Sequence, residues 1–360
     1  MALDFSQYGG PSDEWLAIEK TLPALSFDTN IDPVALKNAV NKEREERNAA
    51  GMPFLAPHIT TTDYKIPTRD GSTIEARTYR SNKKDKSEKL PVYIYFHGGG
   101  FIFGSIASED FVCAQTAINT GVLVVNVNYR HTPEHVFPTA WNDSQDAFAW
   151  VHKNIEELNG DPSKVLVGGV SAGGQLSASL ALEKHLGKSE VLKGLPDLAG
   201  QILIIPCLAS PYTYDEGPGK KIAPGKSSYI ENKDAPILSM KTVEFFTGLL
   251  KTPKADLKDT KVNIVNATED EVRGLPPTVF GIAGLDPLRD EALLYAKNLT
   301  EAGVPTEIRL FKGVPHGHRR FGKALKASDH WDQCIDEGIL WALSKPQATG
   351  KFEIKVPSEA

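Results

Sequence analysis

The sequence predicts an α/β protein with a mostly parallel central β-sheet and helices on both of its faces. Six short runs rich in β-branched and aromatic residues show little alternation of polar and apolar side chains, which is typical of strands buried on both faces. Helical stretches separate most of these runs, and strands that alternate with helices form parallel sheets through right-handed crossovers. The predicted strands are 90–96, 122–128, 164–170, 201–205, 277–283 and 305–311, and the helices between them are 110–119, 141–158, 172–186 and 288–303.

The residues before the first of these strands are predicted to be helical and then to form a hairpin. Residues 12–50 have helical character, and Asp32-Pro33 matches a helix start, because Asp caps a helix and Pro suits its first position. The charged run 41–47 is interpreted as a solvated helix face. Asp70-Gly71 is typical of a hairpin turn. The remaining elements are hairpin strands at 58–66 and 72–80, a closing helix at 331–343 and a polar, loosely held tail at 345–360.

The segment 207–273 interrupts the alternation of strands and helices. It contains four prolines in its first part, a patch rich in Gly and Lys at 217–226, and an apolar helix candidate at 239–250. An insertion of this length between two core strands is usually a lid or a cap that shapes a substrate site. The chain of 360 residues, with 41% apolar content, is otherwise predicted to be a single domain spanning residues 1–360.

Composition excludes several function classes. A net charge of −6 and a pI near 5.9 give no electrostatic basis for binding nucleic acid or an anionic membrane. The three cysteines, Cys113, Cys207 and Cys334, lie too far apart for a disulfide scaffold or a zinc site. We find no signal peptide and no transmembrane stretch, so a cytoplasmic protein without membrane insertion is expected. In a protein that is not secreted, glycosylation sequons do not indicate glycosylation. The sequons of this chain begin at Asn142, Asn266 and Asn298.

Ser171 lies where a predicted strand turns abruptly into a helix. Residues 169–173 read Gly-Val-Ser-Ala-Gly, the Gly-x-Ser-x-Gly pattern of a nucleophile elbow. The two glycines allow the strand and helix backbones to pass close together and leave the serine hydroxyl exposed. The amide of Ala172 lies at the start of the helix, where it can face a developing negative charge.

A serine nucleophile needs a base and a carboxylate that orients the base. Asp286 and His316 follow two later strands, and the chain order Ser, Asp, His is the order found in α/β-hydrolases. Asp290 and His318 are the alternatives for these two roles. Asp286 is preferred because Pro287 fixes the turn directly after its strand. His316 is preferred because the adjacent glycine permits a bend that brings its ring over the serine.

Neither pair of nearby histidines is interpreted as a metal site. His316 and His318 have no third ligand cluster in the sequence. His131 and His135 have helical spacing, but Pro133 lies between them and breaks a helix. No metal and no organic cofactor is expected.

A second chemical element is the sequence His97-Gly-Gly-Gly-Phe101 after the strand 90–96. Three consecutive glycines expose backbone amides, which can form an oxyanion hole together with the amide of Ala172. A phosphate-binding loop is the alternative, but Phe103 stands where its third glycine is needed. We expect His97 and Gly98 to support the loop, with His97 bonding backbone atoms rather than moving protons.

Together these motifs resemble the hormone-sensitive-lipase-like family of α/β-hydrolases, over roughly residues 60–340. The matching sequences are His-Gly-Gly-Gly-Phe at 97–101, Tyr-Arg-x-x-Pro-Glu-His-x-Phe-Pro at 129–138, Gly-Asp-Pro-Ser at 160–163, Ser-Ala-Gly-Gly at 171–174 and Asp-Pro-Leu-Arg-Asp-Glu at 286–291. The resemblance implies a serine carboxylesterase of the α/β-hydrolase fold with a helical cap made of residues 1–50 and 207–273. It also implies that the oxyanion-hole donors are the amides of Gly99, Gly100 and Ala172.

One residue departs from the family pattern. The position before the nucleophile is commonly Asp or Thr in this family, whereas here it is Val170. This change removes a polar group that could support the catalytic loops, and it alters what the family predicts about substrates. It leaves the Ser-His-Asp set unchanged.

The expected partner is a small or medium carboxylic ester, and a homodimer is left open. Aromatic and apolar residues after the oxyanion loop and in the insertion either line an apolar substrate pocket or form ordinary cap core. They are Phe101, Ile102, Phe103, Tyr212, Tyr214, Tyr229, Phe245 and Phe246. Acyl transfer, thioester cleavage or elimination on the same residues is the alternative reaction. A non-catalytic ligand receptor is the alternative outside catalysis.

Overall fold

The computed structural model describes residues 2–22, 31–252 and 256–357. Within these ranges the chain forms a nine-stranded sheet in the order β1-β2-β4-β3-β5-β6-β7-β8-β9. The strands are β1 (Ile59–Pro67), β2 (Thr73–Ser81), β3 (Leu90–Phe96), β4 (Leu123–Asn128), β5 (Gly160–Val170), β6 (Gly200–Ile204), β7 (Thr278–Leu285), β8 (Thr306–Pro315) and β9 (Ile354–Lys355). No helix in the described ranges combines the length and the apolar character that a membrane crossing requires.

The sheet is parallel except at one edge. β2 pairs antiparallel with both β1 and β4, and every other neighbouring pair is parallel. The β1–β2 hairpin has Ile66 opposite Ile74, and Gly71 in its turn has a φ of 82°, a value that favours glycine. The predicted mostly parallel α/β architecture is therefore confirmed.

Helices pack on both faces of the sheet. They are α1 (Asp13–Glu19), α2 (Pro33–Leu55), α3 (Asp110–Thr120), α4 (Thr139–Lys153), α5 (Ala172–His185), α6 (Ser228–Glu231), α7 (Met240–Leu250), α8 (Glu269–Val272), α9 (Arg289–Glu301) and α10 (Ala327–Leu343). Val92 and Ile94 of β3 join a core cluster that includes residues of α4, α5 and α9. Tyr93 and Tyr95 point the other way, into a cluster that includes residues of α3 and α10. Burial on both faces explains why the central strands lack alternation.

The helix α2 begins as its sequence predicts and runs further than expected. The side chain of Asp32 accepts hydrogen bonds from the amides of Val34 and Ala35, and Pro33 occupies the first turn. The helix continues to Leu55 rather than stopping at residue 50. Residues 23–30 of the predicted helical region lie outside the described residues.

The expectation of a loosely held C-terminal tail is wrong for its described part. Ile354 and Lys355 form β9, which pairs with Ile308 and Arg309 of β8. Phe352 and Ile354 pack against the core, because they are two apolar side chains on the same face of an extended segment. The polar composition around them concealed this short alternation.

Candidate active site

The residues predicted to carry the chemistry follow four strands of the parallel part of the sheet. His97 follows β3, Ser171 follows β5, Asp286 follows β7 and His316 follows β8. Parallel strands end at the same edge of a sheet, and binding sites of open α/β sheets form at that edge. The topology therefore brings together side chains that are far apart in the sequence.

The turn around Ser171 is tightly packed and strained. Ser171 has φ 54° and ψ −112°, a backbone conformation that non-glycine residues rarely adopt. A Cβ atom on Gly173 would lie 1.9 Å from the carbonyl oxygen of Phe96, and one on Gly169 would lie 2.3 Å from the same oxygen. Both glycines are therefore needed for β3, β5 and α5 to approach each other at the elbow.

Ser171, His316 and Asp286 form a continuous hydrogen-bonded line. The Nε2 atom of His316 lies 3.0 Å from the Oγ atom of Ser171, and its Nδ1 atom lies 2.7 Å from Oδ2 of Asp286. The other carboxylate oxygen of Asp286 accepts a hydrogen bond of 2.9 Å from the amide of Leu288. Asp286 is 1% exposed, so its orientation is fixed by these two partners. In this arrangement Nδ1 donates to the carboxylate and Nε2 can accept the serine proton.

The two alternative residues lie elsewhere. Asp290 accepts hydrogen bonds from Nε of Arg289 at 2.8 Å and from the amide of Ser228 at 2.7 Å. His318 is completely buried, with its ring nitrogens 3.2 Å from the carbonyl oxygens of Pro315 and Ala327. Burial lowers the pKa of His318 to about 4. The structure thus brings Asp286 and His316, rather than these rivals, to the serine.

The glycine loop after β3 adopts a conformation that side chains would prevent. Gly99 and Gly100 have φ values of 137° and 60°. A Cβ on Gly99 would lie 2.3 Å from the carbonyl oxygen of Phe103, and one on Gly100 would lie 2.3 Å from the ring of Phe246. Ala172 is the first residue of α5, so its amide is one of the unsatisfied donors of a helix N-terminus.

His97 lies beneath this loop and contacts other groups of the fold. Its ring stacks on Tyr129 with a centroid distance of 4.5 Å, and its Nδ1 atom lies 3.2 Å from the carbonyl oxygen of Gly98. The Nε2 atoms of His97 and His131 are 3.3 Å apart. Burial lowers the pKa of His97 to about 4, so the ring is neutral at pH 7. No group of three potential metal ligands occurs in the part of the chain that the structure describes.

A cavity of about 920 Å³ opens next to the serine. Ser171, His316 and Val170 form part of its wall, together with residues of α2, α7 and the segment that follows His316. Helices from the N-terminal region and from the 207–273 segment therefore lie over the carboxyl edge of the sheet.

Only some of the residues predicted to line a pocket do so. Phe101 and Phe103 lie on the cavity wall, whereas Ile102 is 0% exposed and lies outside the described lining. Full burial and absence from the lining do not support the predicted substrate-binding role of Ile102, and Phe101 borders the cavity although it is only 4% exposed. In the insertion, Phe246 lines the cavity, and Tyr214 and Tyr229 instead stack on each other at 3.7 Å.

Sequence reasoning missed a set of α2 side chains that hold the glycine loop. Asn41 accepts a hydrogen bond from the amide of Gly104 at 2.8 Å and donates one to its carbonyl oxygen at 3.1 Å. Nη1 of Arg44 donates to the carbonyl oxygen of Gly98 at 3.2 Å, and Glu45 accepts from the hydroxyl of Ser105 at 2.6 Å. The interpretation of 41–47 as a solvated face is wrong for these three residues. Residues 44 and 45 lie three and four positions after residue 41, so the three side chains lie on one side of a helix. This spacing is the only sign in the sequence that they share a packing surface.

Glu291 is a second residue whose place the sequence did not reveal. It is completely buried, and its Oε1 atom accepts hydrogen bonds from the amides of Leu208 at 2.6 Å and Ala209 at 3.2 Å. Its Oε2 atom lies 3.0 Å from the hydroxyl of Tyr229. Burial raises the pKa of Glu291 to about 8. The carboxyl group therefore joins α9 to two parts of the 207–273 segment, the start at Leu208 and Ala209 and the short helix that contains Tyr229.

The chain is similar in sequence and in structure to known proteins. Residues 93–319 match a family described by the alpha/beta hydrolase fold, Abhydrolase_3. The chain is 34% identical to Carboxylesterase NlhH of Mycobacterium tuberculosis over 244 residues, which cover 67% of this chain and 70% of that protein. It superposes on Vibralactone Cyclase with a TM-score of 0.82 and 27% identity, covering 96% of this chain and 99% of the other. A Pyrobaculum calidifontis esterase gives a TM-score of 0.74 with 30% identity, covering 91% and 98% of the two chains.

Proposed function

Because the chain belongs to the Abhydrolase_3 family of the alpha/beta hydrolase fold, the group its motifs resemble, we propose that it is a serine carboxylesterase. It cleaves small or medium carboxylic esters through an acyl-enzyme. One observation carries this proposal: Nε2 of His316 lies 3.0 Å from Oγ of Ser171 while Nδ1 lies 2.7 Å from Asp286. A base within hydrogen-bonding distance of a hydroxyl, itself oriented by a carboxylate, is the arrangement that activates a serine nucleophile. Similarity to proteins named carboxylesterase and esterase supports the same reaction.

In the first half of the reaction, the hydroxyl of Ser171 attacks the ester carbonyl carbon and His316 takes its proton. The negative charge that forms on the carbonyl oxygen is met by backbone amides of Gly99, Gly100 and Ala172. The positive φ values of the two glycines turn the loop beside the serine, which supports this role. Asp286 holds the imidazole in the required tautomer and stabilises its protonated form.

In the second half, His316 gives its proton to the departing alcohol, and the acyl group remains on Ser171. A water molecule then attacks the acyl-enzyme while His316 accepts its proton, and His316 returns that proton to Oγ of Ser171 as the bond to the acyl group breaks and the carboxylic acid leaves. Every proton moves through the same nitrogen, Nε2, so no further acid or base is needed. This chain's own residues are sufficient for the chemistry.

The proposal includes a cap over the active site within one domain. The cap consists of residues 1–50 and 207–273, and its support is that α2 and α7 contribute to the cavity wall. A cavity of about 920 Å³ is within the range of sites for small molecules. Enclosure by a cap favours dissolved esters over the surface of a lipid droplet.

Replacing the nucleophile tests the proposal. In Ser171→Ala, hydrolysis of a para-nitrophenyl ester should fall by at least about 10³-fold, because no oxygen remains to form the acyl-enzyme. A fluorophosphonate probe should label the wild-type protein and not the variant. The matched control is Ser163→Ala, which removes the hydroxyl of an exposed serine whose side-chain partner among the described residues is Asp161. Equal labelling or equal turnover in Ser171→Ala would show that the nucleophile is a different residue.

A second candidate function is transfer of the acyl group to an alcohol instead of water. The structural similarity to Vibralactone Cyclase, with a TM-score of 0.82, favours this function. A lactone is an internal ester, so a lactone forms when an acyl group is joined to a hydroxyl group of the same molecule. Such a reaction would use the same acyl-enzyme, with a substrate hydroxyl as the acceptor. The product ratio of methyl ester to free acid, measured at rising methanol concentration, separates the two reactions. Formation of free acid alone would favour hydrolysis.

A further inference from the structure

The cavity wall contains two chemically different groups of residues. One group is apolar and comes mainly from the glycine loop, α4 and the insertion. Its members are Phe103, Trp141, Val243, Phe246, Leu250 and Val262. The other group is charged and comes from α2, from Glu109 before α3, from the segment after His316 and from α10. Its members are Arg44, Arg47, Glu109, Arg319, Arg320, Lys323, Asp329 and Asp332.

The charged group has more cations than carboxylates. Five of these side chains are basic and three are acidic, although the whole chain has a net charge of −6. The positive character is therefore local and does not follow from the overall composition. A positively charged wall on an acidic protein raises the local concentration of anions.

Ion pairing leaves one guanidinium on this wall without a partner. Arg44 pairs with Glu109 at 2.7 Å, Arg319 pairs with Asp332, and Arg47 pairs with Glu43, which lies four residues earlier on α2. Among the described residues, no carboxylate lies within 4.0 Å of Arg320, and no acceptor forms a hydrogen bond with its guanidinium. Its side chain remains accessible from the cavity.

The surroundings of Arg320 disfavour its charge. Desolvation by neighbouring protein atoms lowers the pKa of Arg320, and the nearby guanidinium groups of Arg47 and Arg44 lower it further. The nearby carboxylate of Glu43 acts in the opposite direction, so the repulsion from the two arginines is only partly compensated. Arg320 is exposed rather than enclosed by protein atoms. A bound anion would offset this repulsion and would form charge-assisted hydrogen bonds with a planar guanidinium.

Arg320 shares the cavity wall with Ser171 and His316. Arg320 follows His316 by four residues, so their Cα atoms are at most about 14 Å apart. On the other side, Arg44 donates a hydrogen bond of 3.2 Å to the carbonyl oxygen of Gly98 in the glycine loop. The base must protonate the departing alcohol, so the alcohol portion of an ester lies on the side of His316.

We propose that the substrate carries an ionised carboxylate on its alcohol portion and that Arg320, the guanidinium on this wall without an ion-pair partner among the described residues, binds this carboxylate. The proposal rests on the proposed esterase function. It deepens that function by naming a class of substrate, esters of hydroxy acids, and a residue that determines specificity. The apolar group of the wall then receives the acyl chain.

Two aryl esters of similar size test the proposal. In para-acetoxybenzoate the alcohol portion carries a carboxylate, and in para-acetoxybenzamide it carries a neutral amide. The measured quantity is the ratio of kcat/KM for the charged ester to kcat/KM for the neutral ester. In Arg320→Met this ratio should fall about tenfold or more, because only the charged ester loses a charge-assisted hydrogen bond. The ratio should not change in Lys193→Met, which removes an exposed cation outside the cavity lining.

Salt dependence provides a test that needs no variant. Raising NaCl from about 50 mM to about 500 mM should lower the ratio for the wild-type protein, because salt screens the attraction. In Arg320→Met the ratio should change little. Arg320→Lys keeps the positive charge but loses the planar guanidinium with its paired N–H donors, so it should give an intermediate ratio.

The possible results separate the two proposals. Wild-type protein that hydrolyses the neutral ester, with a ratio unaffected by salt and by Arg320→Met, would overturn the carboxylate site and leave the esterase function intact. A preference seen only when the carboxylate is placed on the acyl portion, as in para-nitrophenyl hemiglutarate against the pentanoate, would also overturn it. Hydrolysis of neither ester, with no probe labelling at Ser171, would refute the esterase function and this inference together.

Discussion

Glu291 shows how a single buried carboxyl group can join two parts of the active-site region. Its oxygens bond to the amides of Leu208 and Ala209, at 2.6 and 3.2 Å, and to the hydroxyl of Tyr229 at 3.0 Å. Burial raises its pKa to about 8, from an ordinary value of 4.5. Around neutral pH the group is therefore protonated in the folded protein and ionised in the unfolded chain.

This difference predicts a pH dependence of stability. The folded state holds a proton that the unfolded chain releases, so the contribution of Glu291 is present below about pH 4.5 and is lost as the pH rises through about 8. Glu291→Gln keeps a carbonyl acceptor but cannot titrate. Between those pH values the free energy of unfolding of wild-type protein should decline relative to that of the variant, by up to about 1.4 kcal/mol per pH unit. Urea unfolding at a series of pH values measures the difference.

The control for this prediction is an exposed glutamate. Glu190→Gln removes a carboxylate whose side chain is 86% exposed. It should leave the pH profile of the wild-type protein unchanged. Parallel pH profiles for wild-type protein and Glu291→Gln would mean that the Glu291 carboxyl group is ionised in the folded protein.

At the scale of elements, α2 is the unexpected part of the active-site architecture. Its side chains contact the glycine loop from Gly98 to Ser105, and the paired hydrogen bonds between Asn41 and the backbone of Gly104 are the most complete of these contacts. In the loop itself, Gly99, Gly100 and Gly104 have positive φ values. A helix from the N-terminal region therefore positions backbone amides of the proposed oxyanion hole.

Removing the side chain of Asn41 should impair catalysis more than binding. In Asn41→Ala, kcat should fall by about tenfold or more with little change in KM, because small displacements of positioned groups reduce the rate of the chemical step. Asn41→Asp keeps the acceptor for the amide of Gly104 and loses the donor, so its kcat should be intermediate. Steady-state kinetics with a neutral aryl ester measures both parameters.

Lys42→Ala is the matched control on the same helix. Lys42 is the next residue, and its side chain is 77% exposed. If Asn41→Ala and Lys42→Ala have the same kcat, or if only the KM of Asn41→Ala rises, then Asn41 does not position the loop.

At the scale of the whole molecule, the C-terminal segment completes one edge of the sheet. β9 pairs with β8, the strand that leads to His316, and Phe352 lies 6.3 Å from Phe5 between ring centroids. Phe5 is 5% exposed. The two ends of the chain thus pack together beside the strand that carries the proposed base.

Removing the ring of Phe352 should lower the free energy of unfolding of the whole protein. Phe352→Ala should reduce the free energy of unfolding by about 1–3 kcal/mol, because it removes a partly buried aromatic side chain from the core. Val356→Ala, at a side chain that is 42% exposed, should have a much smaller effect. Urea unfolding measures both. Equal midpoints for Phe352→Ala and wild-type protein would indicate that the tail contributes nothing to stability.

Most of the fold was predictable because its strands and turns have local signals. Buried strands such as 90–96 are continuous apolar runs, and Asp32-Pro33 and Asp70-Gly71 lie where a helix starts and a hairpin turns. The boundaries were less accurate, as at α4, which ends at Lys153 rather than at residue 158. The missed strand β9 is only two residues long and depends on its partner strand.

The sequence by itself determined the α/β architecture and the small set of residues among which the reacting groups had to be sought, because strand burial, glycine spacing and turn chemistry are local properties. Only the tertiary structure decided that His316 rather than His318 lies 3.0 Å from Ser171, that Asn41 holds Gly104, and that Arg320 lies unpaired on the cavity wall. These facts depend on distances between segments that are remote in the chain. Such distances arise from packing the whole sheet and its helices, and no local pattern of residues encodes them.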